Sequence, residues 1–207
     1  MSRQRYWIAA GVCLTALLVW LAFFWEPDIG APAGHSGVVR PATAPPSGGD
    51  FTLESPGGKL SLQDYRGKVV LLYFGYTFCP DVCPTALSAL GQALAALAPD
   101  ELAQVQGVFV SVDPERDTME VLNVYAPFFH PHIVGASGTP AQVAEVARRY
   151  GVSYMRQKSV DDRPYTVDHS SFTYLIDREG RLAATLPHGA PAADIVAQIR
   201  RHLGRKG

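Results

Sequence analysis

The sequence predicts an α/β domain with a central mixed sheet flanked by helices, preceded by one N-terminal transmembrane helix. Three observations predict it. A twenty-residue run without a charge, Tyr6–Trp25, lies close to the N-terminus. Two continuous apolar runs, Lys68–Tyr76 and Val105–Val112, have the β-branched and aromatic composition of strands buried on both faces. Helical patterns alternate with strand patterns from there to the C-terminus, which is the signature of a layered α/β domain.

The first run, YWIAAGVCLTALLVWLAFFW, would span roughly 30 Å as a helix, the thickness of a bilayer's hydrocarbon core. Arg3 and Arg5 precede it, and Glu26 and Asp28 follow it. The positive-inside rule then keeps the N-terminus in the cytoplasm and sends the rest of the chain across the membrane. A cleaved signal peptide would have a shorter apolar core and a small-x-small site, but the nearest such site is Ala31-Pro32-Ala33, with proline in the middle. Val12 before Cys13 does not suit a lipoprotein signal, so Cys13 reads as a small packing residue of the span. Residues 1–25 are therefore read as a retained anchor. Residues 26–50, dominated by Pro, Gly, Ala and Ser without apolar periodicity, read as a linker that leads to a domain over 51–207.

Within that domain Phe51–Leu53 and Lys59–Leu62 flank Ser55-Pro56-Gly57-Gly58 and predict a hairpin. Lys68–Tyr76 is the first central strand. Asp81–Leu97 follows as a helix, with Val82, Leu87, Leu90, Leu94 and Leu97 at helical spacing. Val105–Val112 is the second central strand, and Thr118–Phe129 a helix capped by Asp117 or Thr118. His132–Val134 reads as a short strand, and Pro140–Tyr150 as a helix with proline near its first position. Val152–Gln157 starts an extended segment. Phe172–Asp177 and Leu182–Leu186 form a hairpin about Asp177-Arg178-Glu179-Gly180, and Pro191–Leu203 closes the chain as an amphipathic helix. The two central strands joined through a helix make a right-handed βαβ unit. With the hairpin and the last helix added, the arrangement is thioredoxin-like.

Composition narrows the function. A formal net charge of −1 gives no basic footprint for nucleic acid. Three cysteines, one of them inside the apolar run, do not make a disulfide framework. The remaining pair, Cys79 and Cys83, sits where the first central strand turns into its helix, at the carboxyl edge of the sheet where α/β folds bind ligands. Positions four apart near the first helical turn share a face, so the two sulfurs can converge. Pro84 is tolerated there because the amide it lacks would have no intrahelical partner. The positive helix N-terminus is expected to favour thiolate over thiol. Disulfide exchange in thioredoxins uses two intervening residues, whereas this loop has three, a spacing that suits two ligands on one ion. Two thiolates with an imidazole match soft cuprous copper. Structural zinc would want four ligands, and a structural disulfide across so short a loop removes little chain entropy.

FGYTFCPDVCPTAL at 74–87, SVDPERDT at Ser111–Thr118 and VDHSSFTYLID at Val167–Asp177 together resemble the signature segments of the Sco/SenC family. Those are membrane-anchored, thioredoxin-fold copper proteins that serve assembly of the copper centre of cytochrome c oxidase subunit II. The similarity runs from about Phe51 to the C-terminus, and the anchor-plus-linker layout agrees with it. Met119 departs from the pattern, since many relatives have proline after the residue that matches Thr118. The resemblance implies Cys79, Cys83 and His169 as ligands of a copper ion, Cu(I) and/or Cu(II). It also implies oxidase subunit II as acceptor, and it leaves room for another copper chaperone as donor. The cysteines must be reduced to bind metal, so a periplasmic thiol reductant is expected as well. The whole describes a metallochaperone tethered to a bacterial inner membrane with its globular domain in the periplasm. The alternative is a membrane-anchored thiol–disulfide oxidoreductase that uses Cys79 and Cys83 as a redox pair to reduce the acceptor's metal-binding cysteines.

Other residues are weighed against plainer roles. Asp168, next to His169 on an extended segment, would point to the opposite face and is not expected to brace the imidazole directly. His130-Pro131-His132 reads as a solvated loop, and His35 as a solvated tail residue. Asp113-Pro114-Glu115-Arg116-Asp117 lies at the same sheet edge as the cysteines; it could shape the site or dock a partner, but a helix-capping turn with ordinary surface charges is at least as good a reading.

Overall fold

The computed structural model describes residues 46–158 and 164–204, together with Trp7, Leu17 and Trp20. The chain divides into two units, Met1–Arg40 and Pro41–Gly207. In the first unit only Trp7, Leu17 and Trp20 are described, each helical and exposed. The anchor expected over Tyr6–Trp25, with Cys13 in it, otherwise lies outside the described residues, as does most of the linker with His35. Among the described residues no helix is long and apolar enough to cross a membrane.

The second unit is built on a five-stranded mixed sheet. In chain order its described elements begin with β1 (Thr52–Ser55), β2 (Gly58–Ser61) and a 3-10 turn at Leu62–Tyr65. Then come β3 (Val69–Gly75), α1 (Val82–Ala95), a single helical turn α2 (Pro99–Leu102), β4 (Val105–Ser111), α3 (Met119–Phe129), β5 (Ile133–Ala136) and α4 (Pro140–Arg149). The chain closes with β6 (Tyr154–Arg156), β7 (Val167–His169), β8 (Thr173–Ile176), β9 (Leu182–Leu186) and α5 (Ala192–His202). The sheet order is β5-β4-β3-β8-β9. β3, β4 and β5 are parallel, while β8 is antiparallel to both β3 and β9. The predicted α/β architecture with its mixed sheet is therefore observed.

β3 occupies the centre because all seven of its residues are buried, and only a strand covered on both faces can carry such a run. Side chains alternate across it. Phe74 meets Tyr150 and Tyr174 at 5.8 Å on one face, while Gly75 on the other lies beneath Cys83. α1 buries Leu87, Leu90 and Leu94 at helical spacing and packs on α5, which offers Ile195, Val196 and Ile199. α4 starts with proline, as the sequence led one to expect, and Thr139 caps it with a capping box. Thr118, not Asp117, caps α3. Asp117 is committed elsewhere.

Two small features lie outside the central sheet. β1 and β2 form the expected hairpin, with Ser55 opposite Gly58. β6 and β7 pair as an antiparallel arm in which Tyr154 stands opposite His169. Residues at the end of the predicted linker are tied to this unit. Gly48 donates its amide to the Arg149 carbonyl (3.0 Å), and Tyr150 donates its hydroxyl to the Gly49 carbonyl (2.9 Å).

Candidate metal centre

The site begins where β3 runs out. After Gly75 the chain turns outward through residues 76–81, and α1 starts only at Val82. Cys79 thus lies in the loop before the helix and Cys83 in its first turn, rather than both within the helix. The sulfurs still approach, because the Cys83 amide, one of the orphan donors of the helix N-terminus, donates to Cys79 Sγ at 3.4 Å. Asp81 at the N-cap position makes no side-chain capping bond to a backbone amide. Cys79 is half-buried, whereas Cys83 is fully buried, and both are free thiols.

Cys83 fits beneath the sheet edge only because residue 75 has no side chain. A Cβ built on Gly75 would stand 2.7 Å from Cys83 Sγ and 3.1 Å from the rings of Phe109 and Tyr73. Burial has an electrostatic consequence that reverses one expectation. Desolvation pushes the Cys83 thiol well above the ordinary thiol range, outweighing the nearby Tyr76 backbone and Tyr73 hydroxyl, which act the other way. The helix N-terminus does not make Cys83 an easy thiolate; the dry surroundings of its sulfur win.

The third donor arrives on β7, 86 residues further along the chain: His169 Nε2 lies 3.2 Å from Cys83 Sγ. The other ring nitrogen settles the tautomer. Nδ1 faces the Ser170 carbonyl oxygen at 3.1 Å, and a carbonyl can only accept, so Nδ1 carries the hydrogen and Nε2 presents its lone pair. The Cys83 thiol therefore donates to Nε2. Burial also holds His169 below the ordinary histidine value, which favours the neutral imidazole a metal needs. Tyr73 and Tyr76 stand edge-on to the imidazole at 6.2 and 5.9 Å and fix its plane. Asp168 does point away, accepting from Gln157 Nε2 at 2.5 Å.

The turn 113–117 is not an ordinary charged surface, and here the plainer reading is corrected. Asp117 is 1% exposed and accepts from the Thr77 amide (2.9 Å), Thr77 Oγ1 (2.6 Å) and Ser111 Oγ (2.5 Å). It anchors the cysteine loop. Asp113, 4% exposed, pairs with Arg116 Nε at 2.5 Å and accepts from the Tyr165 hydroxyl at 2.8 Å. Arg116 Nη1 donates to the Tyr165 carbonyl (2.8 Å), and its guanidinium lies 3.6 Å from the centre of the Tyr165 ring. That half of the turn holds the segment leading into β7, and hence His169. One turn clamps both halves of the site. Nothing local in the sequence signals Tyr165, and the burial of the two aspartates follows from partners far along the chain.

The remaining histidine expectation is also modified. His130 accepts from the His132 amide at its Nδ1 (3.1 Å) and is partly buried, so the pair shapes a turn and is not simply solvated.

Cys79, Cys83 and His169 are thus brought together. Their donor atoms lie within 4.8 Å of one another, the only such group of three among the described residues. An ion about 2.0–2.3 Å from each donor would need them roughly 3.5–4 Å apart, so small side-chain rotations suffice. Two sulfurs and one imidazole nitrogen form a soft, low-coordinate set suited to copper. One side stays open: a groove of about 420 Å³, lined by Tyr76, Cys79, Val82, Val167 and His169 among others, leads from the site to solvent. Exposed Phe78 and Phe172 lie near the cysteine and histidine segments in sequence.

The family model described as SCO1/SenC matches residues 39–204. Among curated proteins, the chain is 41% identical over 210 residues to the mitochondrial SCO2 homolog of Mus musculus, covering 98% of this chain and 82% of that one. It is 38% identical over 186 residues to the Bos taurus counterpart, covering 89% and 69%. Among solved structures, copper-bound ScoI of Bradyrhizobium japonicum superposes with a TM-score of 0.69 at 37% identity, covering 76% of this chain and 99% of that one. Yeast Sco1 with copper bound gives 0.70 at 34% identity, covering 79% and 91%.

Proposed function

The chain belongs to the SCO1/SenC family, and from that premise we propose that it is a copper metallochaperone that loads the copper centre of cytochrome c oxidase subunit II. The observation that carries the reading is Cys83 Sγ 3.2 Å from His169 Nε2, with Cys79 completing a set of three soft donors. Cys79 and Cys83, once reduced by a separate thiol reductant, and His169 hold the copper. The open groove lets a partner's ligands reach the ion and take it by exchange, Cys79 being the more accessible of the two sulfurs. Tyr6–Trp25 tethers the protein to the bacterial inner membrane with the copper domain on the periplasmic side. That restricts the search for a membrane-bound acceptor and raises the effective concentration.

The oxidoreductase reading is the weaker one. Disulfide exchange needs no imidazole beside the cysteine pair, whereas a copper site uses one, and His169 Nε2 stands 3.2 Å from Cys83 Sγ. A strain lacking the gene tests the proposal. Wild type should restore the copper content of oxidase subunit II, and Cys79→Ser, Cys83→Ser and His169→Ala should each fail to. Restoration by His169→Ala with failure of the serine variants would favour the thiol–disulfide role.

A further inference from the structure

Tyr73 lies in the middle of β3, 1% exposed, and its hydroxyl is buried without a hydrogen-bond partner. An unmade buried hydrogen bond is costly, and phenylalanine would fill the same space without that cost. The hydroxyl therefore calls for a use. Its surroundings supply one. The ring edge of Tyr73 and Cys83 Sγ converge on the same point above Gly75, 3.1 and 2.7 Å from it, and the ring stands edge-on to His169. Ser171, the other polar side chain near that oxygen, turns its own hydroxyl to the His169 carbonyl at 3.4 Å.

In the metal-free protein the Cys83 thiol donates to His169 Nε2, and a neutral sulfur is a weak acceptor. Copper loading changes both facts. The thiol proton leaves to solvent, Nε2 turns its lone pair to the metal, and the buried sulfur becomes an anion that gains most from a charge-assisted hydrogen bond. We propose that Tyr73 is a positioning residue for the copper site: its hydroxyl donates to the Cys83 thiolate once copper is held, fixing that sulfur and tempering its electron donation. The proposal rests on the copper-binding reading above.

The test uses the reduced full chain as wild type, Tyr73→Phe and Tyr125→Phe. Tyr125 is the control, because its hydroxyl is also buried and unpartnered and lies near the same cysteines without bonding to them. Copper(I) affinity is read by competition with a chromophoric chelator, and the sulfur-to-copper(II) charge-transfer band by absorption. Tyr73→Phe should still bind one copper, about ten-fold more weakly. Its charge-transfer band should move to lower energy, because an unbonded thiolate donates more readily. Its metal-free thermal stability should equal or exceed wild type, which a merely structural role would not give. Tyr125→Phe should match wild type throughout. Wild-type affinity and an unmoved band in Tyr73→Phe, or equal losses in both variants, would overturn the role of the hydroxyl and leave the copper site standing. Failure of wild type to bind copper at all would overturn the copper reading and this proposal with it.

Discussion

Replacing Gly75 with alanine adds one methyl group at the point where the sheet edge and the copper ligand meet. The new Cβ would stand 2.7 Å from Cys83 Sγ, where ordinary contact needs roughly 3.5–4 Å, so the sulfur must retreat by about 1 Å. It has little room, since Cys83 is fully buried and Phe109 and Tyr73 press on the same point at 3.1 Å. Two effects compete. Alanine in a strand is favoured over glycine by about 0.5–1 kcal/mol of backbone entropy. Overpacking a filled core costs about 1–3 kcal/mol. The second wins, and a net loss of about 1–2 kcal/mol should lower the melting temperature by roughly 2–8 °C for a chain of this size. The 3.2 Å contact between Cys83 Sγ and His169 Nε2 is lost in the same movement. Copper(I) affinity should then fall about ten-fold or more, each 1.4 kcal/mol being a factor of ten. Calorimetry of the metal-free protein and a chelator competition titration measure the two quantities. A Gly75→Ala protein with wild-type melting temperature and affinity would refute the steric argument.

Two further outcomes follow from the same geometry. Asp117→Ala strips the acceptors from the Thr77 amide, the Thr77 hydroxyl and the Ser111 hydroxyl, and should cost about 2–3 kcal/mol. The loss is no larger because burial already works against the Asp117 carboxylate and raises its pKa; Asp117→Asn, which keeps one oxygen acceptor, should lose less in a thermal melt. Copper(I) affinity should rise with pH. The Cys83 thiol stays protonated through the neutral range because burial raises its pKa, so binding expels a proton, and log K gains about one per pH unit from Cys83 alone between pH 6.5 and 8. His169 adds less slope than an exposed histidine would, because burial lowers its pKa and favours the neutral ring. Titrations at several pH values check this, and a flat profile would contradict it.

The central strands were legible because burial on both faces leaves an uninterrupted apolar run, and β3 and β4 fall within one residue of where those runs predict. Cys79 and Cys83 were legible from their spacing at a strand-to-helix turn. His169 was not legible from spacing: its contact with Cys83 spans 86 residues, and the three-residue strand that carries it is too short to show a period. Only the resemblance singled it out. For the clamp at Asp113 and Asp117 the sequence leaves a site-shaping turn and an ordinary surface turn both open, because an aspartate's burial depends on distant donors, here Thr77 and Tyr165, that no local pattern announces. The ionisation of Cys83 was misjudged for a related reason. A helix N-terminus can be read from sequence, but the depth at which a sulfur sits beneath Tyr73 and Phe109 cannot, and depth proved the larger effect.

The most direct test of the account is a competitive copper(I) titration of the reduced protein, comparing wild type with His169→Ala and with the Cys79→Ser, Cys83→Ser double variant. The account predicts one tightly held copper per chain, weakened by the histidine change and abolished by the serine pair. Wild-type affinity in His169→Ala, or no tight binding in wild type, would contradict it.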